Sequence, residues 1–223
     1  MVQLPDVVAL PGVLRLRVER LGIRRRRRGW LIRDLEWEHG PGTVGWVVGE
    51  NGSGKSSLLR VLAGLARPAA GRVLRTGGRG DANDRLYYAP EMRLPGRATV
   101  ADWARLSDAL LCATGGAVYE GRLGAGHAKP EHPLGRLSTG EAKRLLLDTL
   151  LRRPASFIFL DEPYEHLSPE AKSDLTAILL DRAEQSVIVV ATNQGVPREA
   201  ADGPVLRLDG ARPTAASAVE VAR

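Results

Sequence analysis

Gly49-Glu50-Asn51-Gly52-Ser53-Gly54-Lys55-Ser56 follows the spacing G-x-x-x-x-G-K-[ST] without a mismatch. Glycines at these positions let the main chain curl round an anion, so that several N–H groups point inward. A lysine at the end of such a loop reaches the β- and γ-phosphates, and a hydroxyl beside it supplies an oxygen to Mg²⁺. The helix opened by Lys55, Ser56 and Ser57 adds the positive end of its dipole. The chemistry implied is capture of a nucleoside triphosphate.

A second cluster lies a hundred residues on. Phe157-Ile158-Phe159-Leu160-Asp161-Glu162 sets two carboxylates at the end of a compact apolar run, and Pro163 turns the chain. An acid at the tip of a buried strand beside a phosphate loop holds the Mg²⁺ shell, directly or through water, so Asp161 is a metal ligand on this reading. Glu162 would face the γ-phosphate, where it could orient and deprotonate an attacking water. By itself the same run also reads as a charged strand end before a turn. The phosphate loop upstream favours the catalytic reading.

These groups need a scaffold that alternates strands and helices. Val13–Leu21 and Leu31–Glu38 read as early strands, the second with Leu31, Leu35 and Trp37 at alternating positions. Val44–Val48 is a strand leading into the loop, and Ser57–Leu65 is a helix that Pro68 would stop. Arg72–Arg75 and Leu86–Ala89 read as short strands. Val100, Trp103, Ala104, Leu106, Leu110 and Leu111 recur at helical spacing, with Cys112 expected to pack beside them. Glu141–Leu151 and Pro169–Leu180 read as helices, and Phe157–Leu160 and Val187–Ala191 as buried parallel strands. The tail, Ala211–Arg223, is expected to fray or form a short helix.

Composition narrows the class. With 223 residues, 43% apolar and 26% charged, the chain suits one α/β domain with a packed core rather than a disordered segment. No apolar run approaches the ~20 residues that span a bilayer, and the N-terminus lacks a secretory pattern. One cysteine permits no internal disulfide, which fits a reducing, cytoplasmic setting. The net charge of +6 is carried almost wholly by arginine, with a block at Arg24–Arg28 that could meet nucleic acid, lipid headgroups or nucleotide phosphates. A solvated loop is the simpler reading of that block. The four histidines have no zinc-like spacing and are expected at surfaces or turns.

Leu137-Ser138-Thr139-Gly140-Glu141 stands some two dozen residues before Asp161, and Asp161-Glu162-Pro163 pairs two acids with a proline. Phosphate loop, L-S-x-G segment and acid pair, in that order, resemble the ATP-binding cassette (ABC) ATPases from about Leu14 to about Leu208. Ser138 with Glu141 three residues later is also a capping box, and that local role is compatible with the resemblance. The resemblance implies a P-loop NTPase fold of class α/β: a mixed or parallel core sheet, an antiparallel β subdomain and a small helical subdomain near residues 99–136, all within one domain of 1–223. It further implies a head-to-tail dimer around two MgATP, in which Ser138, Thr139, Gly140 and Glu141 meet the nucleotide held by the other subunit's loop.

Some positions depart from the family pattern. Glu91 stands where a glutamine is usual, keeping an oxygen for Mg²⁺ but losing an amide donor. Asn193 replaces the switch histidine; it can donate to a γ-phosphate but cannot be protonated. Ser168 replaces a common aspartate. The adenine-stacking position falls in the arginine block, with Trp30 just beyond it as either a base platform or ordinary strand packing.

The leading expectation is an ATP-hydrolysing transporter subunit, active through Lys55, Glu162 and Asn193. It would work as a homodimer at the inner face of the cell membrane below a separate integral membrane subunit, within the small exporter-like group. Two other classes stay open: a soluble cassette acting on nucleic acid or the ribosome, and a degenerate cassette that binds ATP as a regulatory switch. The first is disfavoured because neither a paired cassette nor a coiled-coil insertion is present.

Overall fold

The computed structural model describes residues 13–25, 29–80, 84–113, 123, 128–209 and 214–216. Arg26–Arg28, His127, the first twelve residues and most of the tail lie outside them. Two compact units emerge, one of Met1–Tyr87, Ala155–Glu162 and Leu179–Arg223, the other of Tyr88–Pro154 and Pro163–Ile178.

The first unit holds two sheets. Strands β1 (Arg15–Arg25), β2 (Gly29–His39) and β4 (Ala70–Thr76) form an antiparallel sheet in the order β2-β1-β4. Its inward positions change phase partway along. In β1 the buried set runs Leu16 and Val18, then Leu21 and Ile23; in β2 it runs Ile32, then Leu35, Trp37 and His39. Arg20 (φ 45°) and Asp34 (φ 54°) sit at the breaks, and the ladder slips between Val18 and Leu21. Each bulge inserts one residue, so a simple alternation of Leu31, Leu35 and Trp37 does not describe the strand; Leu31 is only half-buried.

The second sheet has the order β5-β6-β7-β3-β8-β9, with β3 (Val44–Val48), β5 (Arg85–Tyr88), β6 (Phe157–Asp161), β7 (Val187–Thr192), β8 (Val205–Arg207) and β9 (Thr214–Ala216). β3 runs parallel to β7 and β8, and β6 parallel to β7, whereas β9 pairs antiparallel with β8. Fully buried β6 and β7 carry unbroken apolar runs, the pattern of strands covered on both faces. Part of the expected loose tail is therefore a strand, β9, which covers what would otherwise be an open edge at β8. Helix α1 (Lys55–Leu62) presents Leu58, Leu59, Val61 and Leu62 to this core. It ends well before Pro68, because Gly64 takes φ 76°, a left-handed turn that closes the helix.

The second unit is built from α2 (Val100–Ala113), α3 (Thr139–Leu151) and the start of α4 (Pro169–Ala183). The described residues of the expected helical span 99–136 belong to this unit and include α2. Its apolar cluster centres on Val100, Leu134 and Leu145. A polar tie joins α2 to α3: Trp103 Nε1 donates to Thr149 Oγ1 at 2.7 Å, and Ser107 Oγ lies 3.2 Å from the same oxygen. The buried positions of α2 are Val100, Ser107 and Leu111, so Leu106 and Leu110 are half exposed. Cys112, one residue past Leu111 and so rotated about 100° from it, is exposed rather than packed. No described helix is long and apolar enough to cross a membrane.

Candidate phosphate and carboxylate site

The phosphate loop leaves β3 at Val48 and enters α1 at Lys55. Gly52 (φ 85°) and Gly54 (φ 112°) take left-handed conformations. At Gly49 a Cβ would come within 2.8 Å of both the Leu208 carbonyl and Ser53 Oγ; at Gly54 it would strike Leu31. The curl therefore demands glycine. Gly54 is the N-cap of α1 and no side chain caps the helix, so its first-turn N–H groups remain available to an anion. The other end of α1 is held firmly. Arg75, buried, donates from Nε to Leu62 O at 2.9 Å and from Nη2 to the Val61 and Leu62 carbonyls, and Arg85 donates to Ala63 O at 3.1 Å. Burial pulls the Arg75 guanidinium down to about 10, still charged at neutral pH, where it opposes the negative end of the helix dipole.

Lys55 is 5% exposed and folds back over the loop, donating to Gly49 O at 2.8 Å and Glu50 O at 3.1 Å. Its Nζ lies 3.2 Å from Glu162 Oε1, so the sequence-distant cation and carboxylate are brought into a buried ion pair. Asp161, 1% exposed, ends β6; Glu162 follows at φ 48°. Such a left-handed non-glycine backbone persists only where its surroundings fix it. Here the fixing contacts are Glu162 N–H to Ala191 O at 2.9 Å and Asn193 N–H to Glu162 Oε2 at 3.0 Å. Asn193 also reaches the phosphate loop, its Nδ2 donating to Asn51 Oδ1 at 3.2 Å.

Among the described residues no cluster of three His, Cys, Asp or Glu side chains could cage a metal. Mg²⁺ typically keeps waters and substrate phosphates and takes only one or two protein oxygens. Half-buried Ser56 and buried Asp161 fit that modest demand.

Trp30 lies under two guanidiniums, Arg24 at 5.0 Å and Arg33 at 5.8 Å from its ring centroid, and its edge abuts Gly22. The ring is thus engaged in β-sheet packing of its own. Glu91 is exposed and belongs to the second unit, as do Ser138, Thr139, Gly140 and Glu141.

In that unit Ser138 is the N-cap of α3 in a complete capping box: Glu141 N–H donates to Ser138 Oγ at 3.2 Å, and Ser138 N–H to Glu141 Oε2 at 2.9 Å. Gly140 allows a close approach, since a Cβ there would sit 2.6 Å from the His166 carbonyl. His166 takes φ 61° to present it. A concavity of ≈ 570 Å³ opens here, lined by Ser138, Gly140, Arg144 and Ser168 among others. Ser168 caps α4 through Ala171 N–H at 3.3 Å. Three contributors were not singled out in the sequence. Lys143 donates to Glu165 O at 3.0 Å, Arg144 bonds Asp174 at 3.0 Å, and Arg75 holds α1. Only the basic residue at an inward position of β4, Arg75, left a readable trace. His39 was expected at a surface or turn but is 4% exposed, stacked on Trp37 and bonded to Ile188 O at 3.1 Å. It follows Leu35 and Trp37 on the inward side once the bulge has shifted the phase.

Residues 32–165 match the family described as ABC transporter. The cytochrome c biogenesis ATP-binding export protein CcmA of Sphingopyxis alaskensis is 32% identical, over 84% of this chain and 90% of that protein. The thiamine import ATP-binding protein ThiQ of Cereibacter sphaeroides is 31% identical, over 76% of this chain and 81% of that protein. Among solved structures, an ATP-binding subunit of an ABC transporter superposes with a TM-score of 0.72 over 91% of this chain and 89% of the other, at 20% identity.

Proposed function

This chain belongs to the ABC transporter family as an ATP-binding, ATP-hydrolysing subunit, and we propose that two copies close around two MgATP to drive a separate integral membrane subunit. The observation that carries the hydrolytic reading is the 3.2 Å approach of Lys55 to Glu162 at the mouth of the phosphate loop. The uncapped start of α1 and the glycine curl bind the phosphates, and Lys55 neutralises the charge that grows on them. Ser56 and Asp161 would hold Mg²⁺, which supplies Lewis-acid stabilisation of the phosphoryl oxygens. Glu162, oriented by the Asn193 N–H, takes the proton from the attacking water; water oxygen joins the γ-phosphorus as the bond to the β-phosphate oxygen breaks. Of the two roles open to Trp30, its packing against Arg24 and Arg33 supports the strand-packing one.

Ser138, Thr139, Gly140 and Glu141 are the surface proposed to meet the second copy's nucleotide, with the α3 N-terminus aimed at it. Protein relatives with names of both export and import type are consistent with a membrane-coupled role at the inner face of the membrane. We place this chain on the export side, as its similarity to CcmA proteins favours. Affinity capture from detergent-solubilised membranes tests the partner: an integral membrane protein should co-purify. Recovery of nucleic acid instead, with salt-sensitive stimulation of ATPase activity, would move the chain to the soluble class.

A further inference from the structure

Four residues close a ring across the mouth of the phosphate loop, one link running through the Asn193 main chain. Lys55 Nζ pairs with Glu162 Oε1 at 3.2 Å, Glu162 Oε2 accepts the Asn193 N–H at 3.0 Å, and Asn193 Nδ2 donates to Asn51 Oδ1 at 3.2 Å. Asn51 and Lys55 share one loop, so the ring ties that loop to the ends of β6 and β7. The Asn193 main-chain N–H is committed to the base. Its side-chain amide, by contrast, lies at an exposed position and can change partner.

Resting on the reading of this pocket as a MgATP site with the Asn193 amide facing the γ-phosphate, we propose that Asn51 is a specificity-determining residue. Its carboxamide oxygen competes with the γ-phosphate for the Asn193 amide and thereby sets how strongly the site prefers a triphosphate to a diphosphate. A diphosphate ends short of Asn193 and leaves the Asn51–Asn193 bond intact. A triphosphate that draws on the amide hydrogen now given to Asn51, rather than on the second one, exchanges that bond for its own. Both asparagines are exposed, so the amide released by loss of Asn51 is solvated at little cost, and the gain falls on the triphosphate alone.

Calorimetry with Mg²⁺ and either ADP or the β,γ-imido analogue of ATP tests the idea on wild type, Asn51→Ala, Asn193→Ala and the double variant. Asn51→Ala should raise the preference for the imido analogue over ADP about two- to fivefold, the scale of one exposed hydrogen bond. In the Asn193→Ala background the same substitution should do nothing, which is the coupling expected of groups that act on each other. Asn51→Ser, too short to reach Asn193, should repeat the result if Asn51→Ala melts early. An unchanged or lowered preference, or an undiminished effect without Asn193, would overturn the proposal. Wild type binding neither nucleotide would instead overturn the reading of the site on which it rests.

Discussion

Two of the four lysines in this chain are buried, one in each compact unit, and they are held by different means. Lys55 sits under the phosphate loop against the Glu162 carboxylate, with two loop carbonyls around it. Lys143 sits in α3, donating to the Glu165 carbonyl, with the Tyr88 ring 5.7 Å away. The first arrangement keeps two opposite charges together at the loop proposed to bind the triphosphate. The second ties a helix to the loop before α4. Burying a cation therefore marks chemistry only when the partner is itself a group the reaction uses.

Substitution separates the two most sharply. Lys55→Met should lower nucleotide affinity at least ~10²-fold by calorimetry. It should also cost on the order of 3 kcal/mol in a denaturant melt, since it strands the Glu162 charge. Lys143→Met, a swap of similar volume, should cost under ~1.5 kcal/mol and leave the nucleotide Kd of the single chain unchanged. Equal effects of the two changes would erase the distinction.

The cores differ in the same sense. Among the described residues, Phe159 lies in a cluster of twenty buried side chains, whereas Leu145 belongs to one of three. Phe159→Ala should cost ~4 kcal/mol and Leu145→Ala ~2 kcal/mol in the same melts, the second site having more room to relax.

Much of the first unit was legible before folding because its signals are local. A loop with fixed glycine spacing, and short apolar runs of which Phe157–Leu160 ends in two acids, specify both the strands and their tips. What escaped depended on contacts far apart in sequence or on bulges. The burial of His39 follows from the left-handed residue Asp34, which moves every later side chain of β2 to the other face. The dependence of Gly140 on the His166 carbonyl could not be read from either segment alone. Cys112 was misjudged because α2 buries a narrower stripe than its apolar residues suggest.

His39 offers a test by pH. Burial holds its imidazole down at about 4 from the usual 6.5, so below pH 6.5 the unfolded chain takes the proton first. Stability should be complete above about pH 6.5 and fall towards pH 4 by about 3 kcal/mol. His39→Leu should flatten that part of the profile; an unaltered slope would place the titrating group elsewhere.

The smallest expected effect lies in the second unit. Ser138→Ala removes the cap of α3 and should cost ~1 kcal/mol. It should slow ATP turnover while leaving ATP binding to the single chain intact, if this surface meets another copy's nucleotide as proposed. Loss of binding in the same chain would contradict that assignment.

The most direct test of the central claim is steady-state phosphate release by purified wild type and Glu162→Gln at saturating MgATP. If Glu162 is the base, wild type turns over and the variant loses ~10²–10⁴-fold in rate while still binding ATP. Equal rates for the two proteins would show that the Lys55–Glu162 pair is structural and that the reacting water is activated by something else.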